Sequence, residues 1–294
     1  MQVSLIGTGL MGTAMAERLL TLGHDVVVYN RTEEKCAALQ QRGALRARSA
    51  AEAIEASKCT ILMLADAPAI REALFASGKP DFQNRMIIQM GTIAPSESIA
   101  FGREIRTGIG DYFEAPVLGS IAEAKAGRLL VMVGGKAENA ERWHELLKCF
   151  CEEPLLVGAV GRAAALKLAL NQLIAAHITA FSLSLGLVQR SGVEVETFMN
   201  VLRQSALMAP MFEKKLPRLL ARDYARPNFS TRHLLKDVEL CLNASRDANV
   251  ATPVLAAIRG ILEETVRQGR QDADYSSVFE AVVPGETSAP LSSR

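Results

Sequence analysis

The residues best suited to chemistry lie between Gly158 and Asn171, where Gly-Ala-Val-Gly-Arg-Ala-Ala-Ala-Leu-Lys-Leu-Ala-Leu-Asn leads into a long apolar run. Gly158 and Gly161 read as a turn, and Arg162 as the start of a helix that continues to Gln189. From Leu168 to Gln189 there is no Asp, Glu, Lys or Arg, so such a helix is expected to be buried almost all round. Lys167 stands at its head, with Asn171 four residues on and on the same face. A lone ammonium opening a buried helix is costly unless something pairs with it or uses it. The alternative is that Lys167 reaches back to solvent along its aliphatic stem. The run also has the length of a membrane span. Asn171, Gln172, His177, Thr179, Ser182 and Ser184 interrupt it and no basic flank orients it, so the core of an all-helical domain is the expected setting.

A second group of residues suits anion binding. Val3 to Ile6 is a short apolar run followed by Gly7-Thr8-Gly9-Leu10-Met11-Gly12 and a helical pattern to Leu22. Strand, three glycines and helix form the context of a dinucleotide fingerprint. In it Gly7 permits the tight turn, Gly9 lets the backbone approach a pyrophosphate, and Gly12 lets the helix pack against the strand. The helix N-terminus offers its N–H groups to the anion. Asp25 to Asn30 reads as the second strand. An acidic residue at its end would bind the ribose 2′-hydroxyl of NAD and repel a 2′-phosphate. This chain has Asn30-Arg31-Thr32 there, with no carboxylate until Glu33. Arg31 supplies a planar, permanently charged fork for a phosphate and Thr32 a hydroxyl donor, which favours NADP(H).

The elements that must position these groups follow from alternation of pattern. Helices are expected over Glu33 to Arg42, Ala50 to Ala56, Pro68 to Ala76 and Ala140 to Cys151, the last with Trp143 in the core. Strands are expected over Cys59 to Ala65, Arg85 to Met90, Leu129 to Gly135 and Leu155 to Val157. Strands alternating with helices indicate a parallel sheet wound on both faces, a Rossmann-type domain of residues 1–161. Gly91-Thr92 falls at the carboxyl edge, where ligands sit in such sheets; Thr92 is a candidate contact or an ordinary turn residue. Tyr112 to Val117 leads into Leu118-Gly119-Ser120, a turn that can present backbone N–H groups to a carboxylate or serve as a plain turn. After the long helix come Val195 to Gln204, Pro210 to Leu220, Leu234 to Asn249, Pro253 to Gln268 and Ser276 to Val283. All are apolar at helical intervals, giving an all-α second domain over residues 162–283. Lys236-Asp237 is expected to open one of these helices, with Phe229 just before it. Residues 284–294, rich in Ser and Pro, read as a disordered tail.

The totals agree with a two-domain globular chain. It has 294 residues, 49% hydrophobic and 22% charged, with a net charge of +1. That charge gives no general attraction to nucleic acid or anionic lipid, so any phosphate site must be local. Five scattered cysteines suggest reduced thiols and a cytoplasmic protein, and the four histidines form no metal-ligand pattern. The first residues read as a strand and not as a cleavable leader.

Four motifs together carry a resemblance: the Gly7 to Gly12 turn, Glu114-Ala-Pro-Val-Leu-Gly-Ser120, Gly161 to Asn171 with Lys167, and Lys236-Asp237. In this order and spacing the chain resembles the β-hydroxyacid dehydrogenases, among them 3-hydroxyisobutyrate dehydrogenase, tartronate semialdehyde reductase and the glyoxylate/succinic semialdehyde reductases. Asn30-Arg31-Thr32 is most similar to the NADPH-using glyoxylate/succinic semialdehyde reductase branch. The resemblance implies that Lys167 is the catalytic general acid and that Asn171 orients the substrate oxygen. It implies that Leu118, Gly119 and Ser120 hold the substrate carboxylate, with Thr92 beside them. For the cofactor it implies contacts from Gly7, Thr8, Gly9, Leu10, Met11, Gly12, Asn30, Arg31, Thr32, Leu64, Ala65, Thr92, Phe229 and Lys236. A small carboxylated aldehyde or hydroxy acid is the implied substrate, and a homodimer or homotetramer the implied assembly. Two positions depart from the family: Leu118 stands where Ser is usual, and Ala163 where Gly is common. Imine reductases share the fold but replace the lysine, so Lys167 argues against that branch. A non-catalytic NADP-binding regulatory protein is the reading of another class that the same fold permits.

Overall fold

Short runs of Val, Ile and Leu in the first half pair into one sheet in the computed structural model, which describes residues 1–76 and 80–285. Its strands are β1 (Gln2–Ile6), β2 (Asp25–Tyr29), β3 (Leu45–Arg46), β4 (Cys59–Leu62), β5 (Met86–Gln89), β6 (Asp111–Glu114), β7 (Val117–Leu118), β8 (Leu130–Gly134) and β9 (Leu155–Gly158). The spatial order is β3-β2-β1-β4-β5-β6-β8-β7, with β9 paired to β8. β3 through β6 are all parallel, and β8 runs antiparallel to β6.

Alternate residues of these strands feed two separate apolar clusters. Leu5, Val26, Val28, Ile61 and Ile88 lie in one, and Ile6, Val27, Leu62 and Ile87 in the other. Side chains alternate across a strand, so both faces of the sheet are covered, as a doubly wound parallel sheet requires. The chain order reverses about β1, between β2 and β4. The crevice outside the carboxyl ends of β1 and β4 is therefore the position for a ligand.

Several expected elements are altered in detail. Glu33 to Arg42 is a 3-10 turn, Glu33–Cys36, followed by a short helix, Ala37–Gln41. Pro68 to Ala76 begins as a helix over Ala67–Arg71 and widens into a π-turn over Glu72–Ala76. Ala140 to Cys151 is broken at Trp143 into helices Ala137–Arg142 and His144–Leu147. Trp143 itself is in the core, as expected. Tyr112 to Val117 divides into β6 and β7 about Ala115-Pro116, because Pro116 has no N–H to give a ladder. The two-residue β3 and a helix over Pro95–Thr107 had not been foreseen.

By its contacts the chain separates into two compact units, Met1–Leu168 and Ala169–Arg294. This division falls seven residues beyond the expected boundary at 161, because the first turns of the helix Arg162–Arg190 bond to the end of β6. The second unit holds the rest of that helix and helices Val195–Arg203, Pro210–Ala221, Thr231–Asp247, Pro253–Arg267 and Val278–Val282. Leu234, Val238, Leu262, Val278 and Phe279 form its fully buried centre. Asp274, fully buried, ties the unit together: it accepts from Lys215 Nζ at 2.7 Å, Ser276 Oγ at 2.7 Å and the Asn228 N–H at 3.3 Å. The Ser276 to Val283 segment is a 3-10 turn and one short helix. Lys236 and Asp237 lie in the second turn of Thr231–Asp247 and do not open it. Of the expected tail, residues 286–294 lie outside the described residues.

The long helix does not match the expectation of burial on every side. Leu173, Leu183 and Leu187 are 44%, 63% and 66% exposed. Together with Ala169, Ala176 and Ala180 they fall at intervals of three and four, which sets them along one stripe. The opposite face buries Lys167, Asn171, Ala175, Ile178, Ser182 and Leu185. Length and composition alone would let this helix cross a membrane, yet its buried face carries Lys167, Asn171 and Ser182.

Candidate active site

The glycine turn has the geometry its sequence implies. Gly7 follows β1 at φ +101°, a conformation L side chains rarely adopt, and a Cβ there would sit 2.3 Å from the Met63 carbonyl oxygen. At Gly12 a Cβ would come within 1.9 Å of the Gly7 oxygen, whereas at Gly9 it would meet nothing within 4 Å. Gly7 and Gly12 thus close the turn onto the sheet, and Gly9 leaves its outer side open to a ligand. The helix Leu10–Thr21 has no side-chain cap and no acidic residue in its first turn. Its leading N–H groups and dipole suit a pyrophosphate. Leu10 is exposed and Met11 half-buried. Thr8 is buried with its hydroxyl 3.7 Å from Cys36 Sγ, so what it can offer a ligand is backbone.

At the end of β2, Asn30 Oδ1 accepts the Thr32 N–H at 2.9 Å, a side-chain turn that fixes the segment. The Arg31 guanidinium is exposed and pairs with Glu72 at 3.2 Å. Leu64 and Ala65 follow β4; the Leu64 carbonyl closes on Gly91 so tightly that a Cβ there would lie 2.5 Å from it. Gln89, buried at the end of β5, clasps the same turn by donating to the Gly91 carbonyl at 3.0 Å and accepting its N–H. Thr92, half-buried, is presented by that clasp. Gly7, Met63, Gly91 and Glu114 all follow or end parallel strands, so they share the carboxyl edge of the sheet.

Gly119 takes φ +145° and Ser120 precedes the helix Ile121–Ala126. The expected pair of backbone donors meets a competitor here, since the Ser120 N–H donates to Glu123. Leu118 is half-buried and brings no donor on its side chain.

Lys167 is buried, at 8% exposure. Its helix, Arg162–Arg190, follows Gly161, where φ is +99°. Asn171, one turn on, is 3% exposed. Its Nδ2 donates to Asp237 Oδ2 at 2.6 Å, while Lys236 Nζ lies 2.8 Å from Asp237 Oδ1. This leaves Asn171 Oδ1 buried without a hydrogen-bond partner among the described residues. Phe229 is half-buried, stacked 6.3 Å from His233 and edge-on to Tyr275 at 5.9 Å.

Gln89, Glu114, Glu123 and Asp237 are among the polar residues of these sites that carry no role in the sequence reading. Asp237 had a visible signal, a carboxylate on the buried stripe Thr231, Leu234, Asp237, Val238. Its pairing with Asn171 needs two helices packed together, which spacing along one cannot give. Among the described residues no cluster of His, Cys, Asp or Glu could hold a metal.

Known proteins bear on this arrangement. Residues 2–160 match the NAD binding domain of 6-phosphogluconate dehydrogenase, and residues 161–282 match the NAD-binding domain of NADP-dependent 3-hydroxyisobutyrate dehydrogenase. The chain is 33% identical to glyoxylate/succinic semialdehyde reductase 1 of Arabidopsis thaliana over 96% of its length and 98% of the relative's. It is 26% identical to the cytokine-like nuclear factor N-PAC of Drosophila melanogaster, over 93% of this chain and 46% of that one. Among solved structures, 3-hydroxyisobutyrate dehydrogenase of Mycobacterium tuberculosis with L-serine superposes with a TM-score of 0.84 at 22% identity, covering 96% and 98% of the two chains. The open glycine turn fits the nicotinamide dinucleotide that these matches imply. Taken with the two family matches across nearly the whole length, it shows that the chain belongs to the β-hydroxyacid dehydrogenase family, as a nicotinamide-dependent oxidoreductase acting on a hydroxyl or aldehyde group.

Proposed function

We propose that this protein is an NADPH-dependent reductase of small carboxylated aldehydes such as glyoxylate and succinic semialdehyde, with Lys167 as the general acid. The observation that carries the reading is the burial of Lys167 at the head of a helix that starts from the carboxyl edge of the sheet. Bound NADPH would supply the hydride. As negative charge develops on the carbonyl oxygen, a protonated Lys167 stabilises it and passes its proton to the forming alkoxide. Asn171, held by the N–H it gives to Asp237, orients the substrate oxygen. Gly119 and Ser120 hold the substrate carboxylate, and Leu118 makes that end more apolar than a serine would. Arg31 and Thr32 take the 2′-phosphate, Thr92 lies by the nicotinamide, and Phe229 and Lys236 stay assigned to the cofactor.

The exposed stripe of Leu173, Leu183 and Leu187 supports assembly into a homodimer or homotetramer, since so apolar a line on one helix favours a protein partner. The five free, buried cysteines support a reducing, cytoplasmic setting.

The test is NADPH oxidation followed at 340 nm against a panel of short aldehydes with and without a carboxylate. Turnover confined to the carboxylated members supports the reading. The similarity to N-PAC, whose name is that of a nuclear factor, favours one second reading, a non-catalytic NADP-binding protein. That reading requires NADPH binding with no turnover on any aldehyde in the panel. A 3-hydroxyisobutyrate or tartronate semialdehyde enzyme would instead be separated by turnover with NADH and NADPH side by side.

A further inference from the structure

We infer that Glu114 is a positioning residue for Lys167: its carboxylate pegs the first turn of the Lys167 helix to the end of β6. The inference rests on the proton-donor reading of Lys167. Glu114 is fully buried, and the chemistry proposed above makes no use of it. A buried carboxylate is costly unless hydrogen bonds meet its oxygens, and here they come from the start of one helix. Oε1 accepts the Gly161 N–H at 2.9 Å and the Ala164 N–H at 2.9 Å. Oε2 accepts from Ser98 Oγ, which lies 2.8 Å from the Tyr112 hydroxyl.

The strand fixes the other end of the peg. Glu114, the last residue of β6, pairs with Gln89 on β5 and with Gly134 on β8. Gly134 has to be a glycine for this, since a Cβ there would sit 2.4 Å from Glu114 Oε1. Burial pushes the Glu114 carboxyl above its usual range, while Ser98 and the N–H groups of Ala164, Gly161 and Ala163 pull the other way. Lys167 comes three residues after Ala164, about 4.5 Å along the axis, and on the same face. If Gly161 and Ala164 lose their acceptor, the first turn is free to unwind and carry the amine with it. A displacement of about 1 Å from the reacting atoms is worth on the order of 10²-fold in rate.

A double-mutant cycle with Lys167 tests this. Single-turnover NADPH oxidation, with the best aldehyde of the panel, and the NADPH Kd are measured for Glu114→Ala, Glu114→Gln and Gly134→Ala. Each is made in the wild-type and the Lys167→Ala background, and only folded protein is counted. Glu114→Gln keeps an oxygen for both N–H groups and should stay within about fivefold of wild type. Glu114→Ala and Gly134→Ala should lose on the order of 10²-fold with NADPH Kd nearly unchanged, and should cost nothing further once Lys167 is alanine. Should Glu114→Ala not fold, Gly134→Ala and Glu114→Gln carry the test. Equal losses in both backgrounds, or a Glu114→Gln as slow as the alanine variants, would overturn the inference alone. Wild-type turnover in Lys167→Ala by itself would remove the proton-donor reading, and this inference with it.

Discussion

Arg31 stands 3.2 Å from Glu72, and both side chains are largely exposed. Such a pair contributes about 0–1 kcal/mol, less than a charge-assisted bond from the guanidinium to phosphate at about 1.5–3 kcal/mol. A 2′-phosphate therefore has little to displace. Arg31→Ala should raise the KM for NADPH about tenfold or more and leave that for NADH nearly unchanged; steady-state kinetics with both cofactors would show it. An equal rise for both would count against Arg31 as the discriminating residue. The three glycines were legible because their geometry is local to one strand–turn–helix unit. Asp237 and Gln89 were not, because each acts on a residue that only folding brings near. For Ser120 the spacing pointed to a free N–H, and the competing Glu123 three residues on could have been read as a cap.

At the scale of elements, the helix Pro95–Thr107 escaped notice although its signals are present. Pro95 stands in its first turn, and Glu97 reaches back to the Ala94 N–H at 2.7 Å. The break at Trp143 has no such signal, since the apolar pattern runs on through it. In the helical unit the Lys215–Asp274 pair is the most demanding piece of packing, with Lys215 7% exposed and Asp274 fully buried. Burial raises the Asp274 carboxyl, but the Lys215 ammonium and Ser276 more than offset this and hold it below its ordinary value. A carboxyl depressed in the fold contributes stability at any pH above that value and loses it as pH falls through the lower folded pKa. Asp274→Ala leaves a buried ammonium unpaired and should destabilise the helical unit by about 3–5 kcal/mol. Urea denaturation at neutral pH measures this; a loss below about 1 kcal/mol, within the range of an exposed pair, would contradict it.

For the whole molecule, the two-part organisation was readable from the change of period, alternating strands and helices giving way to helices alone. What the sequence misjudged was the central helix, which is apolar all round but buried on one face only within the chain. Composition cannot distinguish a helix buried in its own fold from one whose remaining face another subunit covers. If a second copy covers it, Leu183→Glu with Leu187→Glu should yield a smaller species by sedimentation or light scattering, and an unchanged mass would remove that face from the assembly. The whole account turns on the amine of Lys167. The most direct measurement is kcat for Lys167→Ala beside its NADPH Kd: a fall of about 10²–10⁴-fold with the Kd intact is the predicted result, and turnover near wild type would contradict it.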